Sequence, residues 1–376
     1  KITDIFTVKK KTLSFEFFPP KTLQGEKNLY EKVAPRLAEL KPDFFSVTCT
    51  AEGKDISATE KVAVELQNMF PGIAVMEHIS IAAIGTTRGE MLNYIGDLER
   101  GGVIRNILAL RGDNFNKISV KIDPNIPRKT LMYASDLCRL IKEHYINYFS
   151  VGVAAYPDGH PECKTINESN AYLHIKFDEG ADFAITQFFF DNERYFSLLS
   201  GGPGSRYGGR RVIPGILPVT DYGRLVSFAT KCGVSIPREV SAYFSDASDI
   251  KAKGTEYAYD QSKKLLAGGA PGVQGGVKGR APLPERLPGG IGDEAALLVL
   301  LLEHEGLDAV GRQQLGDRDA RHRGVARQRH HRVAVAAQHE GRHVLHRDAQ
   351  LPGHEGAEAG GVQHPGHAHH PLLGEA

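Results

Sequence analysis

The stretch TLSFEFFPPK, residues 12–21, places one carboxylate, Glu16, in a run of β-forming residues that two prolines end. The residues on both sides of Glu16 are aromatic. A carboxyl group in apolar surroundings has a raised pKa, which suits proton donation near neutral pH. Because such carboxyl groups are enriched at active sites, we interpret Glu16 as a candidate general acid rather than a solvated strand residue.

Further polar residues lie at or near the ends of later β-rich runs. They are Thr48, His78, Asp113, Tyr156, His160 and Gln187. Taken alone, Asp113 fits an ion-paired turn residue equally well. Gln187 fits a buried core amide, although a buried amide usually serves a specific partner. Their repeated position at run ends is what makes them candidates for one shared site.

A shared site requires a scaffold that brings strand ends together, and the sequence predicts one. Residues 12 to about 270 alternate short β-rich runs with segments of helical spacing, which is typical of βα units around a parallel sheet. We predict seven strands, within TLSFEFF, DFFSVTCT, AVMEHISI, RNILALRG, FSVGVAAYP, FAITQFFF and RRVIPGILPV. We predict helices at 25–40, 58–69, 87–100, 131–146, 166–179, 192–199, 221–232 and 255–267.

Mostly apolar parallel strands must be covered on both faces, so an open doubly wound sheet and a closed barrel are the two candidates. The dinucleotide fingerprint GxGxxG of the open sheet is absent after the first strand. The number of βα units therefore favours an α/β fold, the (β/α)8 TIM barrel. Active sites of such barrels lie at the carboxyl ends of the strands, where the candidate residues fall.

Bulk composition limits the function classes. A net charge of +1 gives no electrostatic reason to expect nucleic acid or a membrane surface as partner. The four cysteines form no CxxC pair, and the longest apolar run, AALLVLLL, is too short to span a bilayer. The first residues lack the apolar core of a signal peptide. We therefore expect a cytoplasmic protein that acts on a small molecule.

The amino-acid composition changes after residue 272. All 17 phenylalanines and 13 tyrosines lie at or before Tyr259, whereas most of the 16 histidines follow residue 300. We predict a first domain at 1–272 and a Gly/Arg/His/Ala-rich tail at 273–376. This composition buries too little apolar surface to fold, so the tail is disordered or an out-of-frame translation. Its irregular histidine spacing does not predict a metal site.

Seven segments, in order along residues 12–272, closely resemble the catalytic domain of methylenetetrahydrofolate reductase, a flavoprotein family of one-carbon metabolism. They are SFEFFPPK, SVTCTAEG, ALRGD, MYASDL, AAYPDGHPE, GADFAITQFFFD and VIPGILPV. The resemblance implies a barrel that binds FAD at the carboxyl ends of its strands. It also implies reduction of 5,10-methylenetetrahydrofolate by NADH or NADPH in a ping-pong reaction, and a homo-oligomer.

The resemblance assigns roles to individual residues. Glu16 matches the general acid that protonates N10 of the folate, and Asp113 matches a carboxylate that stabilises the resulting cation. Gln187 matches an amide that contacts nucleotide and folate, and Arg224 and Phe228 match positions in the same substrate pocket. The implied flavin contacts are Thr48, Cys49, His78, Arg111, Gly112, Asp113, Tyr133, Ala134, Ser135, Tyr156, His160, Cys163 and Lys176.

One departure from the family pattern concerns the eighth strand. After KKLLAGGAPG the chain continues as VQGGVKGRAPLPERLPG, a segment whose glycines and prolines give it a low strand propensity. We therefore expect a barrel of seven strands with two open edges and reduced stability. The alternative function is an inactive or truncated family member that acts at most as a binding subunit. A different barrel flavoenzyme, such as a proline dehydrogenase, is disfavoured because its motifs are not seen.

Overall fold

The protein is described by a computed structural model that covers residues 1–49, 56–112, 130–200, 207–245 and 248–277. Within these ranges nine strands form one sheet with parallel pairing throughout. They are β1 Thr12–Phe17, β2 Phe44–Val47, β3 Ala74–Ser80, β4 Asn106–Leu110, β5 Ser150–Ala155, β6 Phe183–Thr186, β7 Arg211–Ile213, β8 Gly215–Ile216 and β9 Gly272–Val277. All seven predicted strands are present, and the seventh is divided into β7 and β8.

Pro214 alone separates β7 from β8, which lets this one segment pair on both sides. β7 pairs with β6, and β8 pairs with β9. β9 in turn pairs with β1, so the ladder runs around eight strand positions. A proline has no N–H to donate, which explains the break at this point. The strands form a nearly closed parallel barrel, and the predicted TIM-barrel fold class is confirmed.

Helices follow most of the strands and cover the outer face of the barrel. They are α1 Ile2–Val8, α2 Leu23–Asn28, α3 Ala34–Glu39, α4 Ser57–Met69, α5 Ile81–Ile84, α6 Arg88–Gly101, α7 Ala134–His144, α8 Ile166–Asp178, α9 Asn192–Leu199, α10 Tyr222–Cys232, α11 Arg238–Ser245 and α12 Ile250–Ala267. A π-helical turn, Leu29–Val33, joins α2 to α3. In the part of the chain that the structure describes, none of the helices has the length and apolar character needed to cross a membrane.

Successive side chains of each strand point to opposite faces, and this alternation separates two apolar regions. Leu13, Phe15 and Phe17 of β1 belong to the large core between the barrel and its helices. Residues of the other parity fill the barrel interior together with a residue of α1. This interior cluster consists of Ile2, Phe44, Met76, Leu108, Phe183, Ile185 and Ile213.

Helix α1 lies at the amino ends of the strands. The Ile2 N–H donates to Asn106 Oδ1 at 2.8 Å, and the Thr3 N–H donates to Ser150 Oγ at 3.2 Å. Asn106 and Ser150 are the first residues of β4 and β5. With this end occupied by α1 and the apolar cluster above it, polar side chains of the interior gather at the carboxyl end.

The last strand corrects one sequence prediction. We expected residues after Gly272 to leave the barrel open, yet β9 pairs with β1 over six residues, from Thr12 with Gly272 to Phe17 with Val277. Parallel pairing uses backbone N–H and C=O groups, so glycines can pair although they contribute no side-chain packing. Strand propensity depends on context, and here two neighbouring strands supply partners for β9. The expectation of a seven-stranded open barrel is therefore wrong.

Gly272 itself is required by the geometry of this contact. Its φ is +150°, and a Cβ at this position would lie 2.3 Å from the carbonyl oxygen of Thr12. The next residue, Val273, is fully buried. Residues from 278 onward lie outside the described part, so the predicted division into domains 1–272 and 273–376 stays a prediction.

Candidate active site

Glu16 lies near the carboxyl end of β1 with its side chain on the interior face of the barrel. Its Oε2 accepts a hydrogen bond of 2.8 Å from Gln274 Nε2, and its side chain is 23% exposed. Burial raises the pKa of Glu16 to about 7, against a smaller lowering by the Gln274 hydrogen bond. A substantial fraction of Glu16 is therefore protonated at neutral pH, as proton donation requires.

The cause of this raised pKa differs from the one that the sequence suggested. We attributed it to the aromatic residues beside Glu16 in the chain. In the structure Phe15 and Phe17 point away from Glu16, into the core under the helices. The desolvation of the carboxyl comes instead from the interior of the barrel, which residues of other strands form. The direction of the predicted shift agrees with the structure, but its structural origin was wrong.

Three buried polar atoms on β2, on β3 and just after β2 have no hydrogen-bond partner among the described residues. They are Ser46 Oγ, Thr48 Oγ1 and His78 Nε2. Ser46 is the register partner of Glu16, and His78 Nε2 lies 3.9 Å from Glu16 Oε2, beyond hydrogen-bond distance. Buried polar groups normally have partners, so these atoms fit a bound polar ligand.

His78 is uncharged at this position. Its side chain is only 5% exposed, and burial lowers its pKa to about 3. It therefore gives no positive charge that would oppose the protonation of Glu16. Cys49, the other predicted residue after β2, is half-buried and directly follows Thr48.

The loop after β4 approaches β3 closely. The carbonyl oxygen of Arg111 accepts hydrogen bonds from the Ala82 N–H at 2.9 Å and from Ser80 Oγ at 3.2 Å. Gly112 has a φ of +101°, and a Cβ there would lie 2.3 Å from Ser80 Oγ. Glycine is therefore needed at 112 for this approach. Asp113, the predicted carboxylate, lies outside the described residues.

The Arg111 guanidinium reaches across to the loop after β5. It forms an ion pair of 2.6 Å with Glu162, whose hydrogen bond raises the pKa of Arg111. The Glu162 N–H in turn donates to His160 Nδ1 at 3.2 Å. Glu162 thus joins the loops after β4 and β5 at the carboxyl end of the barrel, and it brings the predicted residues Arg111 and His160 to the same place.

Four predicted residues gather at the end of β5. The rings of Tyr156 and His160 are 4.8 Å apart in an edge-on arrangement, and Lys176 Nζ lies 5.5 Å from the Tyr156 ring. Lys176 Nζ also donates to the carbonyl of Ala154 at 2.9 Å. Burial lowers the pKa of Lys176 to about 8, with smaller opposing effects of Cys138 and then Cys163. Lys176 therefore remains mostly cationic at neutral pH and can bind a phosphate oxygen.

The predicted residues Tyr133, Ala134 and Ser135 form the start of α7. Asp136 Oδ2 accepts from the Tyr133 N–H at 3.0 Å, which fixes the first turn of the helix. Ala134 and Ser135 are buried, whereas the Tyr133 side chain is 53% exposed. The Tyr133 ring is therefore accessible at the start of α7, whereas Ala134 and Ser135 are packed against the rest of the protein.

Gln187 directly follows β6. Its N–H donates to the Ala155 carbonyl at 2.8 Å, and its Oε1 accepts from the Phe188 N–H at 3.1 Å. Phe228 of α10 stacks on Phe188, with ring centroids 5.2 Å apart and planes 11° from parallel. Phe228 is thus adjacent to the residue that follows Gln187.

Arg224 lies one helical turn before Phe228 on α10. Its side chain is 83% exposed, and its Nε lies 3.8 Å from Asp221 Oδ2. No contact among the described residues connects Arg224 with Glu16, so its predicted role in substrate binding stays a prediction.

Sequence reasoning missed Gln274 and Ser14. Gln274 is 3% exposed and contacts Glu16 directly, while Ser14 Oγ donates to Gln274 Oε1 at 3.2 Å. The glycines and prolines after Gly272 predict no strand there, so local sequence does not mark Gln274 as a site residue. A period-two pattern that places Gln274 on the same face as Glu16 would have been the signal.

Comparisons with known proteins identify the family to which the chain is similar. The sequence model of the family described as methylenetetrahydrofolate reductase matches residues 1–274. The 5,10-methylenetetrahydrofolate reductase of Salmonella typhimurium is 37% identical over 261 residues, which cover 67% of this chain and 81% of that protein. The protein of the same name from Escherichia coli is 36% identical over 261 residues with the same coverage of both chains.

A more distant relative and a solved structure extend the comparison. Methylenetetrahydrofolate reductase (NADH) 1 of Arabidopsis thaliana is 30% identical over 286 residues, covering 72% of this chain and 46% of that protein. A solved Clostridium thermocellum protein, which binds two copies of 5-methyl-5,6,7,8-tetrahydrofolic acid, superposes with a TM-score of 0.54 at 16% identity. That superposition covers 80% of this chain and 96% of the other, and it supports the fold alone. The match over residues 1–274 and the bacterial relatives establish that the chain belongs to the methylenetetrahydrofolate reductase family of oxidoreductases.

Proposed function

We propose that this chain reduces 5,10-methylenetetrahydrofolate to 5-methyltetrahydrofolate, with bound FAD and with NADH or NADPH as the reductant in a ping-pong reaction. Family membership supplies the substrate class. The observation that carries the proposal is Glu16, a carboxyl at the mouth of the barrel whose pKa is raised to about 7. FAD, when bound, supplies hydride transfer from the nucleotide to the folate.

Glu16 acts as the general acid in this proposal. Its proton passes to N10 of the folate, the bond between N10 and the bridging carbon breaks, and a 5-iminium cation forms. A carboxyl of ordinary pKa, about 4.3, would be almost fully ionised at pH 7 and unable to donate. General acid catalysis contributes about 10²–10⁴ in rate. After donation the Glu16 carboxylate keeps the charge-assisted hydrogen bond from Gln274.

The residues at the mouth of the barrel fit the cofactor. Thr48 Oγ1 and His78 Nε2 are buried and unpartnered among the described residues, which suits hydrogen bonds to a flavin ring. Arg111 and Lys176 are cationic side chains near one another, since the Arg111 charge influences the pKa of Lys176. They suit the FAD pyrophosphate, and the Arg111 guanidinium then contacts both the Glu162 carboxylate and the ligand.

Gln187 and Phe228 are proposed to border the pocket that nucleotide and folate occupy in turn. The Phe188 ring, stacked on Phe228, follows Gln187 in the chain. An aromatic pair beside an amide suits a planar, hydrogen-bonding ring such as nicotinamide or pterin. The assignments of Asp113 to the folate cation and of Arg224 to the substrate remain proposals from family resemblance.

The alternative of an inactive family member was based on a missing eighth strand. Because β9 occupies that position, this argument for inactivity no longer applies. The homo-oligomer also stays a prediction, which light scattering on the purified protein tests directly.

Flavin content and two separate half-reactions test the proposal. We expect a yellow protein whose flavin absorbance bleaches with NADH or NADPH under anaerobic conditions and returns on addition of 5,10-methylenetetrahydrofolate. Comparison of the two nucleotides at equal concentration identifies the preferred reductant. A protein that cannot take up FAD, or a reduced flavin that methylenetetrahydrofolate does not reoxidise, would refute the proposal.

A further inference from the structure

Gln274 is held on three sides next to Glu16. Its backbone N–H donates to the Pro214 carbonyl at 3.0 Å, and its register partners are Ser14 on β1 and Gly215 on β8. The side chain is almost completely buried, at 3% exposure. Gln274 therefore has little freedom to change its rotamer while β9 remains paired.

The Gln274 amide contacts Ser14 with its oxygen and Glu16 with its nitrogen. Ser14 Oγ donates to Gln274 Oε1 at 3.2 Å, which places the amide oxygen on the side of Ser14. The amide nitrogen, which can only donate, then faces Glu16 Oε2 at 2.8 Å. Ser14, Gln274 and Glu16 thus form a chain of hydrogen bonds directed toward the carboxyl.

We propose that Gln274 is a positioning residue for the acid Glu16. Its amide N–H occupies Oε2, so the acidic proton resides on Oε1, the oxygen that remains available to a substrate. The same hydrogen bond is stronger to the carboxylate than to the acid, so it also limits how far burial favours protonation. This inference rests on the proposed function insofar as Glu16 is the proton donor.

The other groups that face Glu16 carry no charge that would produce the same effect. His78 of β3 is neutral, because burial lowers its pKa to about 3. Ser46 of β2 and Thr48, which directly follows β2, have hydroxyl groups, which do not titrate in this range. Among the described residues, Gln274 is the hydrogen-bond partner that opposes the effect of burial on the pKa of Glu16.

Gln274→Met tests the inference, because methionine has a similar length but no amide donor. The carboxyl band of Glu16, identified by its loss in Glu16→Gln, is titrated by infrared difference spectroscopy on the protein as purified. We expect a midpoint near pH 7 in the parent chain and a midpoint about one pH unit higher in Gln274→Met, a change of about tenfold in the acid constant. Ser14→Ala, which touches Glu16 only through Gln274, should raise the midpoint by a smaller amount.

The half-reactions give a second readout. Below the midpoint, we expect Gln274→Met to slow flavin reoxidation by methylenetetrahydrofolate about tenfold to a hundredfold, because misplacing the donor by about 1 Å has effects of this size. Reduction by the nucleotide should change by less than about twofold, since no proton from Glu16 is required. The matched control is Gln67→Met on α4, which loses hydrogen bonds to Ile73 and Val75 far from Glu16 and should leave the midpoint unchanged.

An unchanged Glu16 midpoint in both Gln274→Met and Ser14→Ala would overturn the inference, as would equal slowing of both half-reactions. Gln274 would then be a packing residue of β9. Failure of the proposed function looks different, because the parent chain itself would then fail to bind flavin or reduce folate. The infrared titration needs neither activity, so it still determines whether Gln274 controls the protonation of Glu16.

Discussion

Gly272→Ala tests whether the last strand closes the barrel as described. A Cβ at residue 272 would lie 2.3 Å from the carbonyl oxygen and 2.7 Å from the backbone nitrogen of Thr12, and the φ of Gly272 is +150°. Backbone atoms of a paired strand cannot move aside as a flexible side chain does. The strained φ costs about 1–3 kcal/mol for a non-glycine residue, and the forced displacement costs about 1–3 kcal/mol more.

We therefore expect Gly272→Ala to lower the free energy of unfolding by about 2–6 kcal/mol, a large part of the stability of an ordinary domain. Urea unfolding followed by circular dichroism measures this change, which suits a chain without tryptophan. The matched control is Gly276→Ala in the same strand, where the nearest atom to a new Cβ is 3.7 Å away. That variant should be neutral or slightly more stable, because alanine reduces the entropy of the unfolded chain.

A Gly272→Ala variant as stable as the parent chain would refute the pairing of β9 with β1. The barrel would then have the open edges that the sequence suggested, and the contact between Gln274 and Glu16 would lose its basis. Equally large losses in both variants would indicate that any side chain disrupts the strand, which contradicts the ordinary van der Waals distances around a Cβ at Gly276. Only a loss confined to position 272 agrees with the described register.

Three further predictions follow from the site and the core. Glu16→Gln should leave the rate of flavin reduction by the nucleotide within about twofold of the parent rate but slow folate reduction at least about a hundredfold. In the parent chain, the rate of folate reduction should decline as pH rises through about 7, because Glu16 loses its proton. Stopped-flow absorbance measures both rates. Gly112→Ala should lower flavin occupancy, since its Cβ would displace the loop from Ser80; absorbance of the purified variant measures this. Burial raises the pKa of Glu77 to about 8. The folded chain therefore holds a proton that the unfolded chain releases near pH 4.5, so the free energy of unfolding falls as pH rises from about 4.5 to about 8. Glu77→Gln should remove this dependence and raise the free energy of unfolding at pH 8 by about 2–4 kcal/mol, as urea titrations at several pH values would show.

The alternation of strand and helix patterns predicted the architecture because it depends on each segment separately. Seven strands and their order could be inferred from local composition, and a parallel barrel then places their carboxyl ends together. This geometry is why Thr48, Tyr156 and Gln187, which are distant in sequence, were expected at one end. Arg111 and Lys176 were assigned to the same site by the family resemblance alone. The ion pair of Arg111 with Glu162 could not be foreseen, because it depends on the path of two loops.

The environment of Glu16 illustrates a second limit of sequence reasoning. Composition suggested that adjacent aromatic residues desolvate the carboxyl, yet the period of two along a strand turns Phe15 and Phe17 to the opposite face. The neighbours of Glu16 come from other strands, through the register that pairs Glu16 with Ser46 and with Gly276. Register between strands is a property of the assembled sheet, so sequence near Glu16 does not contain it.

The closing strand connects these two limits. The sequence of β9 has a low intrinsic preference for a strand. Its pairing is possible because β1 and β8 offer backbone N–H and C=O groups on both sides of it. That pairing is also what brings Gln274 to Glu16, so closure of the barrel and the hydrogen bond to the acid form together. Gly272→Ala should consequently impair folate reduction more than nucleotide oxidation even where the protein remains folded. Comparable losses in the two half-reactions of the folded variant would show that the strand and the acid are independent.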